Sequence, residues 1–337
     1  MSERDSNGAR EQVLERIRTD RHFVLATHEN IDGDALGSLL AMHGLLSALG
    51  KDSLMFLGPN EYPLPDEYSF FEMGQLIQVP PADIADRTVV FLDCGNIDRN
   101  SAAVLRDGAH LLNLDHHHDN TNFGTVNHVV ADASCTAEIV WDLMGDLGVS
   151  PTGVVADGLY VGLITDTGRF MYESTGPRAH EMAAQLITAG VDVQRIYRRL
   201  FEEMPISKLE LLALALGQVK RFDQGSLTLV CLSAEDFNSV DAHTSHSEGI
   251  IDHLRAVEST KVAALIRELL DPERKGQRKI SLRATDDSVD VSAIARVQGG
   301  GGHRRAAGFS TTLSQEELIA FLREQVALQL SLAPTAA

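Results

Sequence analysis

Residues 110–120 read HLLNLDHHHDN, and the fold of the chain is decided there. Leu111, Leu112 and Leu114 form an apolar run that stops abruptly at Asp115-His116-His117. Buried strands of parallel sheets have this composition, and ligands in open α/β folds collect where such strands end. A carboxylate and two imidazoles at a strand end call for a metal ion or a proton-transfer task. A hydrogen-bonded surface turn would use the same residues, so the rest of the chain must decide.

Three more segments carry similar cargo. Residues 23–27, FVLAT, read as a strand running into His28, Asp32 and Asp34. Leu36, Leu39, Leu40, Leu46 and Leu49 then recur at helical spacing, closed by Gly50. A strand over 53–57 follows, and a strand over 88–92 delivers Asp93, with Gly95 leaving room beside it. Helices over 135–147 and 152–164 precede Thr165-Asp166-Thr167-Gly168-Arg169, read as the fourth strand end. With a first helix over 10–19, this alternation predicts an α/β fold built on a doubly wound, mainly parallel sheet.

From 180 to 222 the pattern turns wholly helical, which suggests a helical connector. A smaller α/β domain follows, with strands over 226–232, 261–267, 279–285 and 306–311 and helices over 247–257 and 290–297. The last helix opens on the capping box Ser314-x-x-Glu317. The expected division is a metal-binding catalytic domain over 1–190, a connector over 191–222 and a substrate-binding domain over 223–337.

Composition excludes several classes. The chain has 337 residues and is 44% hydrophobic, enough for two cores, with no apolar stretch of about 18 residues to cross a membrane. Its charged N-terminus lacks the apolar core of a signal peptide. Cys94, Cys135 and Cys231 are isolated, so neither a disulfide framework nor a zinc knuckle is expected, and cytoplasmic residence follows. A formal charge of −19 argues against a long basic nucleic-acid track but admits an anionic substrate in a local basic pocket.

His28, Asp32, Asp34, Asp93, Asp115, His116, His117 and Asp166 pool five carboxylates and three imidazoles. Like charges that close raise one another's pKa or demand a cation. Mixed carboxylate and imidazole donors suit Mn²⁺, Fe²⁺ or Zn²⁺. The set is large enough for two ions about 3.5–4 Å apart, the spacing that activates water for displacement at phosphorus.

His28-x₃-Asp32-x-Asp34, Leu92-Asp93-Cys94-Gly95, Asp115-His116-His117 and Thr165-Asp166-Thr167-Gly168 resemble the four motifs of the DHH phosphoesterase superfamily. Gly299-Gly300-Gly301-Gly302-His303 and Ala306-Ala307-Gly308-Phe309 resemble its DHHA1 domain. Within it, the chain most resembles the oligoribonuclease (nanoRNase) and 3′-phosphoadenosine-5′-phosphate (pAp) phosphatase subgroup, close to cyclic-di-AMP phosphodiesterases.

The resemblance implies roles. His28, Asp32 and Asp93 would hold one divalent ion, most often Mn²⁺. Asp34, Asp93, His116 and Asp166 would hold a second, so that Asp93 bridges and a two-metal-activated hydroxide attacks phosphorus. His117 would face the substrate as phosphate ligand or general acid, and Asp115 would orient an imidazole from behind. His118 extends the motif by one imidazole and is expected to be a bystander. Gly300, Gly301, Gly302, His303 and Arg304 would close over the substrate.

In the strand 279–285, Ser281, Arg283 and Thr285 share the face opposite Ile280, Leu282 and Ala284, which makes Arg283 a candidate phosphate clamp. Arg169 is a second candidate. The expected partner is short RNA or a small nucleotide, with no membrane, and a homodimer is admitted.

Three other readings carry discriminators. A manganese-dependent inorganic pyrophosphatase would have a basic Ser-Arg-Lys-Lys-Gln loop, which is absent from the sequence. A RecJ-type exonuclease would be longer, with an oligonucleotide-binding barrel and a basic track. A non-catalytic nucleotide sensor would release no phosphate with Mn²⁺.

Overall fold

The computed structural model describes residues 3–332 except 30, 60, 63, 75, 100, 272 and 273. Asn30, in the loop between His28 and Asp32, therefore lies outside the described residues, as do 1–2 and 333–337 of the expected domains. The chain divides into two compact units, Met1–Glu203 and Met204–Ala337. The segment 191–222, expected as a connector, divides between them.

The first unit contains α1 (Glu3–Thr19), β1 (His22–Ala26), α2 (Gly33–Ala48), β2 (Asp52–Phe56), β3 (Leu76–Ile77), β4 (Thr88–Leu92), β5 (His110–Asp115) and β6 (Val126–Val129). Helices α3 (Thr136–Asp146), α4 (Val154–Asp166), α5 (Pro177–Thr188) and α6 (Val193–Tyr197) complete it. Its six strands lie in the order β3-β2-β1-β4-β5-β6 and pair parallel throughout. Strand β4, TVVFL, is buried at every position, which is why it reads as a continuous apolar run and not an alternation.

Helices cover one face of this sheet, where Phe23, Leu25, Val90, Leu92, Leu112 and Leu114 meet α2, α3 and α4. The other face, with Val24, Ala26, Val89 and Phe91, is covered by the short turns carrying Cys94, Ile97, Ala102 and Leu105. The strand order reverses between β1 and β4, so their carboxyl ends diverge around a crevice.

Helix α2 is apolar almost all round and buried along most of its length, as expected for a helix enclosed by a core. It packs against α4 at backbone distance. A Cβ at Gly37 would come within 2.2 Å of the Gly158 carbonyl, and one at Gly162 would come within 2.9 Å of Asp34 Oδ1. Small residues thus set the approach that brings the start of α2 to the end of α4.

The second unit contains α7 (Ile206–Gly217), β7 (Lys220–Phe222), β8 (Leu227–Leu232), α8 (Ala234–Ser239), α9 (Ile250–Arg255), β9 (Val262–Glu268), β10 (Arg278–Ala284), α10 (Val291–Val297), β11 (Gly301–Gly302), β12 (Ala306–Thr311) and α11 (Gln315–Leu332). Its sheet runs β11-β12-β10-β9-β8-β7, with β8 and β9 parallel and the other pairs antiparallel. Ile280, Leu282 and Ala284 are buried, while Ser281 and Arg283 alternate to the more exposed face. The capping box forms as expected, with Ser314 N donating to Glu317 Oε2 and Glu317 N to Ser314 Oγ.

The structure corrects two expectations. The stretch 180–222 is not wholly helical, because Lys220–Phe222 is an edge strand pairing with β8. Three residues are too few to display a period of two. Asp166 does not end a strand either: it is the last residue of helix α4. An apolar run bounded by a polar cluster looks the same in sequence whichever element carries it.

Candidate metal centre

The carboxyl ends of β1, β4 and β5 and the end of α4 bring the candidate donors together. Asp32 is the N-cap of α2, its Oδ1 accepting from Ala35 N at 3.0 Å. Asp34, two residues on, is 1% exposed in the first turn. Asp93 leaves β4 in the left-handed region, with φ +56°, and is 3% exposed. A non-glycine residue there costs of order 1–3 kcal/mol and persists where the surroundings hold it.

Two imidazoles are arranged alike. His28 Nδ1 donates to the Glu29 carbonyl (2.6 Å), leaving Nε2 at 3.3 Å from Asp93 Oδ2 and 3.7 Å from Asp32 Oδ2. His116 Nδ1 donates to the Ala133 carbonyl (3.4 Å), leaving Nε2 at 3.4 Å from Asp166, 3.6 Å from Asp93 and 4.0 Å from Asp34. Imidazoles that ligate metals are oriented this way, with the second ring nitrogen tied to a carbonyl or carboxylate.

His117 differs. Its Nδ1 donates to Asp115 Oδ1 at 2.7 Å, and Asp115, fully buried, also accepts from His116 N and Asn120 Nδ2.

Among the described residues of the first unit, three groups have one donor atom per residue, all within 4.8 Å of one another: His28–Asp32–Asp93, Asp34–Asp93–His116 and Asp93–Asp115–His117. Asp93 belongs to all three. Asp166 reaches the centre through its contact with His116.

Electrostatics points the same way. Burial, followed by the Asp93 and Asp166 carboxylates, pushes Asp34 well above the ordinary carboxylate range. Asp166 is pushed up by burial, then by Asp93 and Asp32. Burial opposes charge on His28, yet the adjacent Asp32 and Asp93 raise it well above 6.5. Burial likewise opposes charge on His117, but Asp115 lifts it to about 10. Asp32 resists its own burial and falls to about 2 beside His28. Carboxylates this close relieve their repulsion by binding protons or a cation, and the donor set of oxygens and imidazole nitrogens fits a divalent ion.

Several residues of the site carry no motif. Thr136 N and Ala137 N donate to Asp34 Oδ2 (2.6 Å) and Oδ1 (2.9 Å), and Ser38 Oγ donates to Oδ1 (3.2 Å). Thr136 Oγ1 donates to Asp93 Oδ1 at 3.1 Å. Ser38 was findable as the i+4 neighbour of Asp34 on one helix face. Thr136 left one faint signal, a helix start at Cys135 whose side chain caps nothing.

The remaining candidates are placed as follows. His118 is exposed beside the buried His116. Arg169, with φ +63°, lays its guanidinium 5.2 Å from the Phe201 ring centroid. In the second unit, Arg283 Nη1 donates to the Leu282 carbonyl, and Arg304 Nη2 to the Asp287 carbonyl. His303 is half-buried. Gly301 and Gly302 pair with β12, and Cβ atoms at Gly300 and Gly302 would collide with the carbonyls of Gly308 (2.2 Å) and Ala306 (2.6 Å). Packing against β12 alone therefore requires glycine at those two positions.

Fold and donor set together are those of an α/β protein with a candidate site for divalent ions at the carboxyl ends of its parallel strands. Residues 22–163 match the DHH family, N-terminal domain, and residues 228–328 the DHHA1 domain; the chain belongs to the DHH/DHHA1 phosphoesterase family. It is 32% identical over 290 residues to the bifunctional oligoribonuclease and PAP phosphatase NrnA of Thermus thermophilus, covering 85% of this chain and 83% of that one. The protein of the same description from Bacillus subtilis is 23% identical, covering 86% and 88%. The crystal structure of an exopolyphosphatase-related protein from Bacteroides fragilis shares the fold, with a TM-score of 0.85, 22% identity and 97% coverage of both chains. Among the described residues no helix is long and apolar enough to cross a membrane.

Proposed function

We propose that this chain hydrolyses short oligoribonucleotides to mononucleotides and removes the 3′-phosphate of pAp, using two divalent ions, most often Mn²⁺. The carrying observation is the matched pair His28 and His116, each with Nδ1 on a backbone carbonyl and Nε2 turned toward the shared carboxylate Asp93. His28, Asp32 and Asp93 would hold one ion, and Asp34, Asp93, His116 and Asp166 the other. When bound, the ions lower the pKa of water and neutralise phosphoryl charge.

The chain's own residues supply the rest. His117, held at Nδ1 by Asp115, would use Nε2 on the phosphate or on the leaving oxygen as general acid. Arg169 and Arg283 are clamps for phosphate, and Gly300, Gly301, Gly302, His303 and Arg304 form the substrate-recognition segment. On this reading residues 1–190 are catalytic and 223–337 substrate-binding, and within 191–222 the helices α6 and α7, lying either side of the boundary between units, make the connection while Lys220–Phe222 belongs to the second sheet. Three separate thiols fit cytoplasmic residence, and sedimentation will tell a homodimer from a monomer.

A substrate panel at matched Mn²⁺ tests the proposal: RNA of about two to four nucleotides, RNA of about 24, pAp, linear and cyclic di-AMP, and pyrophosphate. Short RNA and pAp should turn over several-fold faster than the long strand, because an acidic surface offers no track along which released counterions drive binding. Equal rates on the long RNA overturn the size preference, and faster cyclic di-AMP hydrolysis replaces it with a cyclic-dinucleotide phosphodiesterase.

A further inference from the structure

The carboxylate shared by the three donor groups of the first unit is held on two sides. Asp93 N donates to the Leu114 carbonyl at 3.0 Å, which fixes a backbone already in the left-handed region. The side chain is another matter. Apart from the imidazoles around it, the one hydrogen bond its carboxylate receives among the described residues comes from Thr136 Oγ1. Thr136 is fully buried, so its hydroxyl has no water to turn to, and its β-branch restricts rotation about χ1.

Thr136 is itself immobilised from both directions. Its backbone N–H donates to Asp34 Oδ2, as the next N–H does to Asp34 Oδ1. On the preceding side, the buried Glu138 reaches back from the first turn of α3 to accept Ser134 N through Oε2 at 3.1 Å. The adjoining Ala133 carbonyl is the acceptor for His116 Nδ1. The first turn of α3 thus touches Asp34 and Asp93 directly and His116 through the peptide joining Ala133 and Ser134.

We propose that Thr136 is a positioning residue of the metal centre, its hydroxyl setting the rotamer of Asp93 and its N–H setting Asp34, so that the two carboxylates keep the separation one ion requires. The proposal rests on the metal-centre reading above. It assigns Thr136 no contact with substrate.

Thr136→Val removes the hydroxyl at nearly constant volume and keeps the N–H, while Thr136→Ser keeps both. Mn²⁺ titration by calorimetry should show Thr136→Val binding one ion about ten- to a hundredfold more weakly, the usual effect of losing an outer partner of a ligand. Thr136→Ser should lie within about threefold of the parent. Turnover should follow affinity through kcat at subsaturating Mn²⁺, with KM for the nucleotide little changed. Parental Mn²⁺ affinity in Thr136→Val overturns the proposal, even if that variant melts earlier without metal, because the role would then be structural only. A Thr136→Ser as impaired as Thr136→Val overturns it too. Should Thr136→Val not fold, Thr136→Cys offers similar bulk with a weak donor, and an affinity equal to that of Thr136→Ser counts against the hydroxyl. If the parent protein binds no Mn²⁺ at all, the metal-centre reading fails first and the role of Thr136 with it.

Discussion

Asp34 caps a helix that begins 102 residues further along the chain: its Oδ2 accepts Thr136 N at 2.6 Å. The first turn of α3 has no cap of its own, since the Cys135 side chain makes no capping bond. Its N–H groups, which have no acceptor within the helix, and its partial positive charge are therefore directed at a carboxylate of the candidate metal centre. One contact serves helix stability and donor placement together.

Asp93 is the donor with no substitute. Asp93→Ala should bind at most one Mn²⁺ and lose turnover by about a thousandfold or more, beyond the loss expected for a residue that merely orients a ligand. Metal stoichiometry and kcat measured on one preparation check this. Two bound ions with most of the rate retained would remove Asp93 from its bridging role.

Mn²⁺ should also stabilise the fold. Asp34 and Asp166 have carboxyls raised above 3.8 when no cation is present. The sign follows: their protonated forms support the fold at low pH, and that support is lost as pH rises through the raised values. Asp32, lowered to about 2, works in the opposite sense and keeps its contribution at neutral pH. A cation replaces the missing protons, so stability at pH ~7.5 should rise by about 2.7 kcal/mol at a hundred times the dissociation constant. Thermal melts with Mn²⁺ and with chelator read this directly, and coincident melts would contradict it.

His117→Ala and Arg283→Ala should separate chemistry from recognition. A group assisting the leaving oxygen acts in the transition state, so His117→Ala should lower kcat. Arg283→Ala should raise KM roughly ten- to a hundredfold, the cost of a charge-assisted contact of about 1.5–3 kcal/mol, with both metals retained. Initial rates on one dinucleotide, alongside metal content, decide the assignment. Loss of metal in Arg283→Ala would reject it.

His128 gives the first unit an acid limit. It is 5% exposed on β6 among Arg10, Glu138 and Asp142, and its Nδ1 has no hydrogen-bond partner. Burial, then Arg10, lowers it from 6.5 to about 4. The unfolded chain therefore takes up the proton first on acidification. The contribution is complete above pH 6.5 and is lost as pH falls toward 4, by at most about 3 kcal/mol. Denaturant melts of the parent and His128→Asn between these limits should show a shallower decline in the variant; parallel declines would place the acid sensitivity elsewhere.

Much of the first unit was legible because its signals are local. Apolar runs without alternation marked β1, β4 and β5 as strands buried on both faces, and polar clusters after them marked the carboxyl ends. The capping box at Ser314 announced α11 for the same reason, since both partners lie within one turn. Strands β3 and β11, two residues each, and β7, three, left no trace, because hydrogen bonds to a neighbour define them and no period of their own does.

The sequence by itself determined which side chains are available and where the parallel strands deliver them: His28, Asp32 and Asp34 after β1, Asp93 after β4, and Asp115, His116 and His117 at the end of β5. Only the tertiary structure decided that Asp166 arrives from a helix, through backbone contact between α2 and α4 at Gly37 and Gly158. It alone showed Thr136 between Asp34 and Asp93, and it gave Gly300 and Gly302 a packing reason independent of any ligand. The physical reason is separation along the chain. A motif records what neighbours in sequence do to one another, whereas a hydrogen bond spanning 102 residues exists only after the helices have docked.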